Sequence, residues 1–333
     1  MTNETPVAAN AATPQPAVTQ AAAAAPTPQQ APTDQQKVAD ATAAAPSLDD
    51  LVPDAPIVPK WDIGRAKILL YGPPKIGKSS LANQFPGALF LPTEPGLDWF
   101  EHSQIPAKGG FLETWEQVGQ AYAALRTEKA RRNFKTIIVD TVDNLWILCE
   151  RFVCAKAGVA VTADLAYGKG NALVSAEFRR FLMGMTKLGY GLILTSHAEN
   201  KEMENSETGE RMTKIVPSYP DKCRRLVNPM VDMILLYSIE RQPTACADGQ
   251  VRMMDQRTIR CRSAQGYDAG DRTRTLPERI LITTGPRGAY EALSKAHQDG
   301  AMALAAAGDM PGDAMVPIQM GEKTASFKKK PKE

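Results

Sequence analysis

Residues 66–84 read AKILLYGPPKIGKSSLANQ, and this stretch decides the fold. Lys67-Ile68-Leu69-Leu70-Tyr71 is a short apolar run of the kind a buried parallel strand needs. Gly72-Pro73-Pro74-Lys75-Ile76-Gly77-Lys78-Ser79 follows it and fits G-x-x-x-x-G-K-[ST] without a mismatch. Ser80-Leu81-Ala82-Asn83-Gln84 then starts a helix. Strand, loop and helix in that order make the pattern a P-loop; a chance glycine-rich turn would not need that context. Gly72 and Gly77 let the backbone turn so that successive N–H groups face one anion, and the helix start adds partial positive charge. ATP is therefore expected on Gly72, Pro73, Pro74, Lys75, Ile76, Gly77, Lys78, Ser79 and Ser80. Lys78 would reach the β- and γ-phosphates, and the Ser79 hydroxyl would ligate Mg²⁺.

Outward from this stretch, not all of the 333 residues look foldable. Residues 1–60 are dominated by Ala, Pro, Gln and Thr, with almost no large apolar side chain before Leu48. Such a segment cannot bury enough area to offset its ordering entropy, so a disordered arm is expected. It has neither the basic start and apolar stretch of a signal peptide nor the arginines of a transit peptide. A second disordered tail, Lys-rich at its end, is expected over 299–333. The remainder, 61–298, has the size of one α/β domain. Lys+Arg number 39 against Asp+Glu 37, which excludes a histone-like binder but not a local basic groove. No run of about 18 apolar residues exists, so no membrane association is expected. The five cysteines are scattered and form no C-x-x-C, as in the reduced thiols of a cytoplasmic protein.

Downstream, Ala88-Leu89-Phe90-Leu91 reads as a second strand. Glu94 follows at its carboxyl end, the edge where open parallel sheets bind ligands. A carboxylate there suits a general base for the attacking water, and equally a turn or cap; position alone leaves both open. Residues 113–129 predict one amphipathic crossover helix. Lys135-Thr136-Ile137-Ile138-Val139-Asp140 is a β-branched run ending in an acid, the Walker B pattern, with Asp140 expected in the Mg²⁺ shell opposite Ser79. Thr141 and Asp143 are expected to cap the next helix, whose core face would hold Leu145, Leu148, Cys149 and Phe152.

Residues 157–171 read as a loop in which Tyr167 and Lys169 suit either contact with a single nucleic-acid strand or a mobile surface. Tyr190 to Thr195 is a fourth strand with Ser196-His197 at its end, where His197 would sense the nucleotide. Residues 199–216 predict an acidic, protruding hairpin. Residues 221–230 read as a short helix, and 231–239 as a fifth buried strand. Residues 257–262 alternate as an edge strand would, placing Arg260 and Arg262 on one face. With Arg272 and Arg274 they form the densest basic region, suited to a nucleic-acid backbone, to a neighbour's ATP, or to a solvated face.

Taken together, YGPPKIGKSS, LFLPTEPGLDWF, IIVDTVDNL, YGKGN, LTSHAENKE and AGDRTRTLPERI resemble a phage-encoded family of AAA/RecA-core nucleotide-binding proteins, which includes Sak-type single-strand DNA annealing ATPases. The resemblance covers about residues 64–285. It implies an α/β P-loop NTPase with a RecA-like, mostly parallel central sheet flanked by helices. It also implies that Glu94, in TEPGLD, is the catalytic glutamate and that His197 occupies the nucleotide-sensing position, so that Glu94, Lys78 and His197 form the catalytic set. The segment after His197 departs from RecA in being acidic rather than Gly-rich.

The expected function is Mg²⁺-dependent ATP hydrolysis by a cytoplasmic phage-type protein, in the host cytoplasm, acting on single-stranded DNA in recombination or annealing. Homo-oligomers are expected, with Arg262 or Arg272 acting across a subunit interface. The alternative is an ATP-switched adaptor or loader that serves a single-strand binding protein or another replication partner. A small-molecule kinase would need an acceptor pocket and an arginine-bearing lid, and the sequence identifies neither.

Overall fold

A computed structural model describes residues 52–55, 61–204, 209, 211–245 and 249–307. Contacts divide the chain into Met1–Ile57, of which only 52–55 are described, and Val58–Glu333, which holds every element below. The expected arm at 1–60 and the Lys-rich end thus lie almost wholly outside the described residues.

Among the described residues nine strands form one sheet. They are β1 (Lys67–Gly72), β2 (Ala88–Pro92), β3 (Thr136–Asp140), β4 (Gly191–Glu204), β5 (Arg211–Pro217), β6 (Met233–Ala245), β7 (Val251–Arg260), β8 (Gly270–Asp271) and β9 (Arg279–Ile282). The order is β2-β3-β4-β1-β6-β7-β9, with β5 on β4 and β8 on β6. The first five in that order are parallel, and β5, β7, β8 and β9 run antiparallel to their neighbours. The helices are α1 (Lys78–Ala82), α2 (Trp115–Leu125), α3 (Glu128–Asn133), α4 (Val142–Ala157), α5 (Lys169–Lys187), α6 (Asp221–Val227) and α7 (Ala289–Ala306). This is the mostly parallel, helix-flanked sheet that the P-loop reading predicts.

The period-2 alternation of strand side chains sorts the core into two layers. Leu69, Leu89, Leu91, Ile137, Val139, Leu192 and Leu194 pack against buried faces of α2, α4, α5 and α6. Ile68, Leu70, Phe90, Ile138, Ile193 and Leu235 face the other way, toward Leu81 of α1 and Leu293 of α7. Because both faces are covered, these strands are apolar throughout. Leu145, Leu148 and Cys149 of α4 lie in the first layer as expected.

Several expectations are corrected. The crossover helix is two helices, because Thr127 accepts from the Ala130 amide at 3.3 Å and starts α3 anew. Lys169, Gly170 and Asn171 belong to the first turn of α5 rather than to a loop. Gly170 lies so close to Thr162 that a Cβ would sit 2.4 Å from its carbonyl oxygen. Strand β7 is not an edge strand, since β9 pairs with its far side over Arg257–Arg260. The strand expected at 231–239 continues to Ala245 and forms a second hairpin with β7. Helix α7 runs to Ala306, so the boundary at 298 falls inside it.

Candidate nucleotide site

Strand β1 lies between β4 and β6, and both neighbours run on past its end as hairpins with β5 and β7. The P-loop leaves the sheet between them. At Gly72 a Cβ would lie 2.1 Å from the Tyr237 carbonyl oxygen, so only glycine allows the exit. At Gly77 φ is 106°, and at Lys75 it is 63°, both in the left-handed region. The two motif glycines therefore serve different needs, close approach at the first and a turn at the second.

Lys78 is buried, and its Nζ donates to the carbonyl oxygens of Gly72 and Pro73, each at 3.0 Å. Among the described residues it has no ion-pair partner. Burial lowers its pKa, opposed by the charges of Asp140, Glu94 and Asp143. Ser79 Oγ donates to Asp140 Oδ2 at 2.6 Å, which joins the two expected metal ligands. Asp140 is 5% exposed. Its pKa is raised by desolvation, against hydrogen bonds from Ser79 and Thr195. Thr195 Oγ1 donates to the other carboxylate oxygen.

A buried ammonium satisfied only by carbonyls is a site for an anion. Hydroxyl and carboxylate oxygens side by side are the hard donors that Mg²⁺ prefers. The residues present thus fit ATP and Mg²⁺.

Glu94 is held to this centre through the ends of β2 and β3. The Thr93 amide donates to the Asp140 carbonyl at 2.7 Å. Thr93 Oγ1 donates to the Thr141 carbonyl at 2.8 Å and accepts from the Thr141 amide at 2.9 Å. The Glu94 carboxylate accepts from Asn144 Nδ2 at 3.0 Å and lies 3.3 Å from His197 Nε2. Two residues singled out separately in the sequence are therefore partners. The hydrogen bond to Glu94 raises the His197 pKa above its ordinary value.

Asp143 does not cap α4. It accepts from Ser196 Oγ at 3.0 Å and from Ser218 Oγ, and burial raises its pKa. It thus ties α4 to the base of the β4–β5 hairpin.

The proposed cations separate. Arg260 is committed to Glu240 through two hydrogen bonds of 2.7 Å, which removes it as a free contact. Arg262 lies past the end of β7, with Nη2 3.4 Å from the Leu276 carbonyl. Arg272 and Arg274 lie at the start of β1 and β6, the opposite edge of the sheet from the P-loop. Lys169 is exposed at the start of α5. The arginine beside the P-loop is instead Arg257, whose Nε donates to the Ile76 carbonyl at 3.4 Å. Thr93, Asn144, Thr195 and Arg257 were not anticipated. Their only sequence signal is proximity to the ends of predicted strands.

A family model described as an AAA domain matches residues 65–273. The SPbeta prophage-derived uncharacterized protein YorG of Bacillus subtilis (strain 168) is 26% identical over 196 residues, 57% of this chain and 55% of that protein. The chain thus spans about half the length of the curated relative it matches. Among solved structures, the KaiC-like protein PH0186 from Pyrococcus horikoshii OT3 aligns over 69% of this chain and 89% of its own. That alignment has 10% identity and a TM-score of 0.38.

Proposed function

The chain belongs to this AAA domain family of P-loop nucleotide-binding proteins, and from that premise we propose that it hydrolyses ATP with Mg²⁺ and acts on single-stranded DNA in recombination or strand annealing. The observation that carries the hydrolysis reading is the grouping of Lys78, Ser79–Asp140 and Glu94–His197 at one sheet edge. Lys78 would exchange its two carbonyl acceptors for phosphate oxygens. Bound Mg²⁺ would neutralise charge on the phosphates. Asp140 and Ser79 hold its place, and Thr195 fixes the Asp140 carboxylate. Glu94 orients the attacking water and takes its proton as the water oxygen bonds to the γ-phosphorus and ADP leaves with the bridging oxygen's electron pair. His197 and Asn144 orient Glu94. The DNA part rests on the family resemblance, and the prophage origin of the B. subtilis relative supports a phage context.

The test is ATP turnover with and without an oligodeoxythymidylate, with Glu94→Gln as control. Stimulation that vanishes in the variant is expected. Unchanged turnover in the variant would remove Glu94 from the mechanism. The hairpin β4–β5 exposes Glu199, Glu202 and Glu204, a charge that favours a protein partner over phosphate there. Turnover indifferent to DNA but raised by a replication protein would therefore establish the adaptor reading.

A further inference from the structure

At the amino edge of the sheet, away from the P-loop, a cleft of about 530 Å³ opens between the starts of β1 and β6, the loop after β8, and helix α7. Arg65, Lys67, Arg272 and Arg274 line it, against Asp62 and Asp232. Asp232 is shared, lying 3.8 Å from Lys67 and 3.6 Å from Arg272. Arg65 and Arg274 have no carboxylate partner among the described residues and are exposed. The excess charge is therefore positive.

The loop that presents two of these arginines is strongly fixed. Asp271 accepts from the Thr273 amide at 2.8 Å, from Thr273 Oγ1 at 2.6 Å and from the Leu276 amide at 2.8 Å. Thr273 and Thr275 exchange a hydrogen bond of 2.8 Å, and Thr275 bonds buried His297 of α7 at 2.5 Å. At Gly300 a Cβ would lie 1.7 Å from the Thr275 carbonyl oxygen, so α7 is shaped to receive the loop. The result is Arg274 in the left-handed region, φ 61°, a conformation that persists where surroundings over-determine it. Trp61 lines the cleft beside His297, with a buried indole N–H that has no partner.

We propose that this cleft binds the sugar–phosphate backbone of a single nucleic-acid strand, so that DNA and ATP occupy opposite edges of the sheet; the inference rests on the DNA reading above. Arg65 and Arg274, with Lys67 and Arg272 sharing the one Asp232 between them, spread along an open cleft and suit successive phosphates better than one small anion, which would need donors converging on a point. Trp61 adds an aromatic surface for the strand.

The experiment is fluorescence anisotropy of a labelled oligodeoxythymidylate titrated with the full chain across a range of salt. The variants are Arg272→Glu with Arg274→Glu, the matching lysine pair, and Arg65→Glu. ATP affinity of each variant reports folding. The double reversal is expected to weaken binding at least about tenfold and to lower the salt slope by about 1.4, for two lost phosphate contacts on a single strand. Lysine should restore most of both, and ATP affinity should not change. Should the double reversal fail to bind ATP, Arg65→Glu decides, since its side chain has no hydrogen bond or ion pair to lose among the described residues. Oligonucleotide quenching of tryptophan emission should vanish in Trp61→Phe. Binding by the wild type that survives both reversals would overturn the cleft and leave the DNA reading standing. No binding by the wild type would overturn both. Displacement by inorganic phosphate or dTMP at the oligonucleotide's own concentration would make this a small-anion site and overturn the strand.

Discussion

The two edges of the sheet treat charge in opposite ways. At the carboxyl edge Lys78 and Asp140 are nearly withdrawn from water, and the Asp140 carboxylate is tied to Ser79 and Thr195. At the amino edge Arg65 and Arg274 stand in solvent, and Arg272 is 60% exposed. Buried charges interact strongly and tolerate no misplacement, which suits bond breaking. Exposed charges are screened and forgiving, which suits collecting a long flexible polyanion.

This contrast can be broken by substitution. Lys78→Ala should have the largest effect, lowering ATP turnover by about 10²–10³-fold, the scale of losing one preorganised charge donor. It should leave oligonucleotide affinity unchanged; a parallel loss of DNA binding would show that the edges are not independent. Gly72→Ala should cost several kcal/mol in urea unfolding, because its Cβ would lie 2.1 Å from the Tyr237 carbonyl oxygen, beyond the usual overpacking penalty of about 1–3 kcal/mol. Near-wild-type stability would mean that β1 and β6 can part. Thr195→Ala removes a hydroxyl bonded to a buried carboxylate and should cost about 1.5–3 kcal/mol, with turnover reduced and oligonucleotide binding intact.

The smallest expected effect sharpens the picture of the Glu94–His197 pair. Glu94 raises the His197 pKa, so the folded state holds this proton more tightly than the unfolded chain. The pair's contribution to stability is full below the ordinary histidine value of about 6.5 and is lost as pH rises through the raised folded value. In Glu94→Gln, the NMR titration of His197 should move down toward the ordinary value. An unmoved titration would separate the two residues.

Much of the nucleotide edge was legible because its residues follow short apolar runs. Gly72, Glu94 and Asp140 sit at or just beyond the ends of β1, β2 and β3, where chain order alone predicts a ligand edge, while His197 lies within the longer β4, level with Gly72. The contacts among them were not legible. That Thr195 reaches Asp140, or Asn144 reaches Glu94, depends on register and rotamer rather than spacing. Arg260 was misread because its partner Glu240 lies on the outer part of β6, beyond the strand that the apolar run marks. Arg257 escaped notice because its neighbour Ile76 lies 181 residues away. The β6–β7 hairpin was missed because its outer half is exposed and mixes Val251, Met253 and Met254 with charged residues, so no buried face marks it.

Strand β1 begins at Lys67 in the cleft and ends at Gly72 beneath the phosphate loop. Six residues of strand span about 20 Å. Clamped between β4 and β6 and covered on both faces, it behaves as a strut, so DNA and ATP held at its two ends would never touch. Any influence of one on the other would then be a coupling free energy carried by the framework, and it would run equally in both directions. Whatever factor a bound strand lends to ATP affinity, ATP must return to the strand, so emptying the nucleotide site would loosen or tighten the protein's hold on DNA by that same factor.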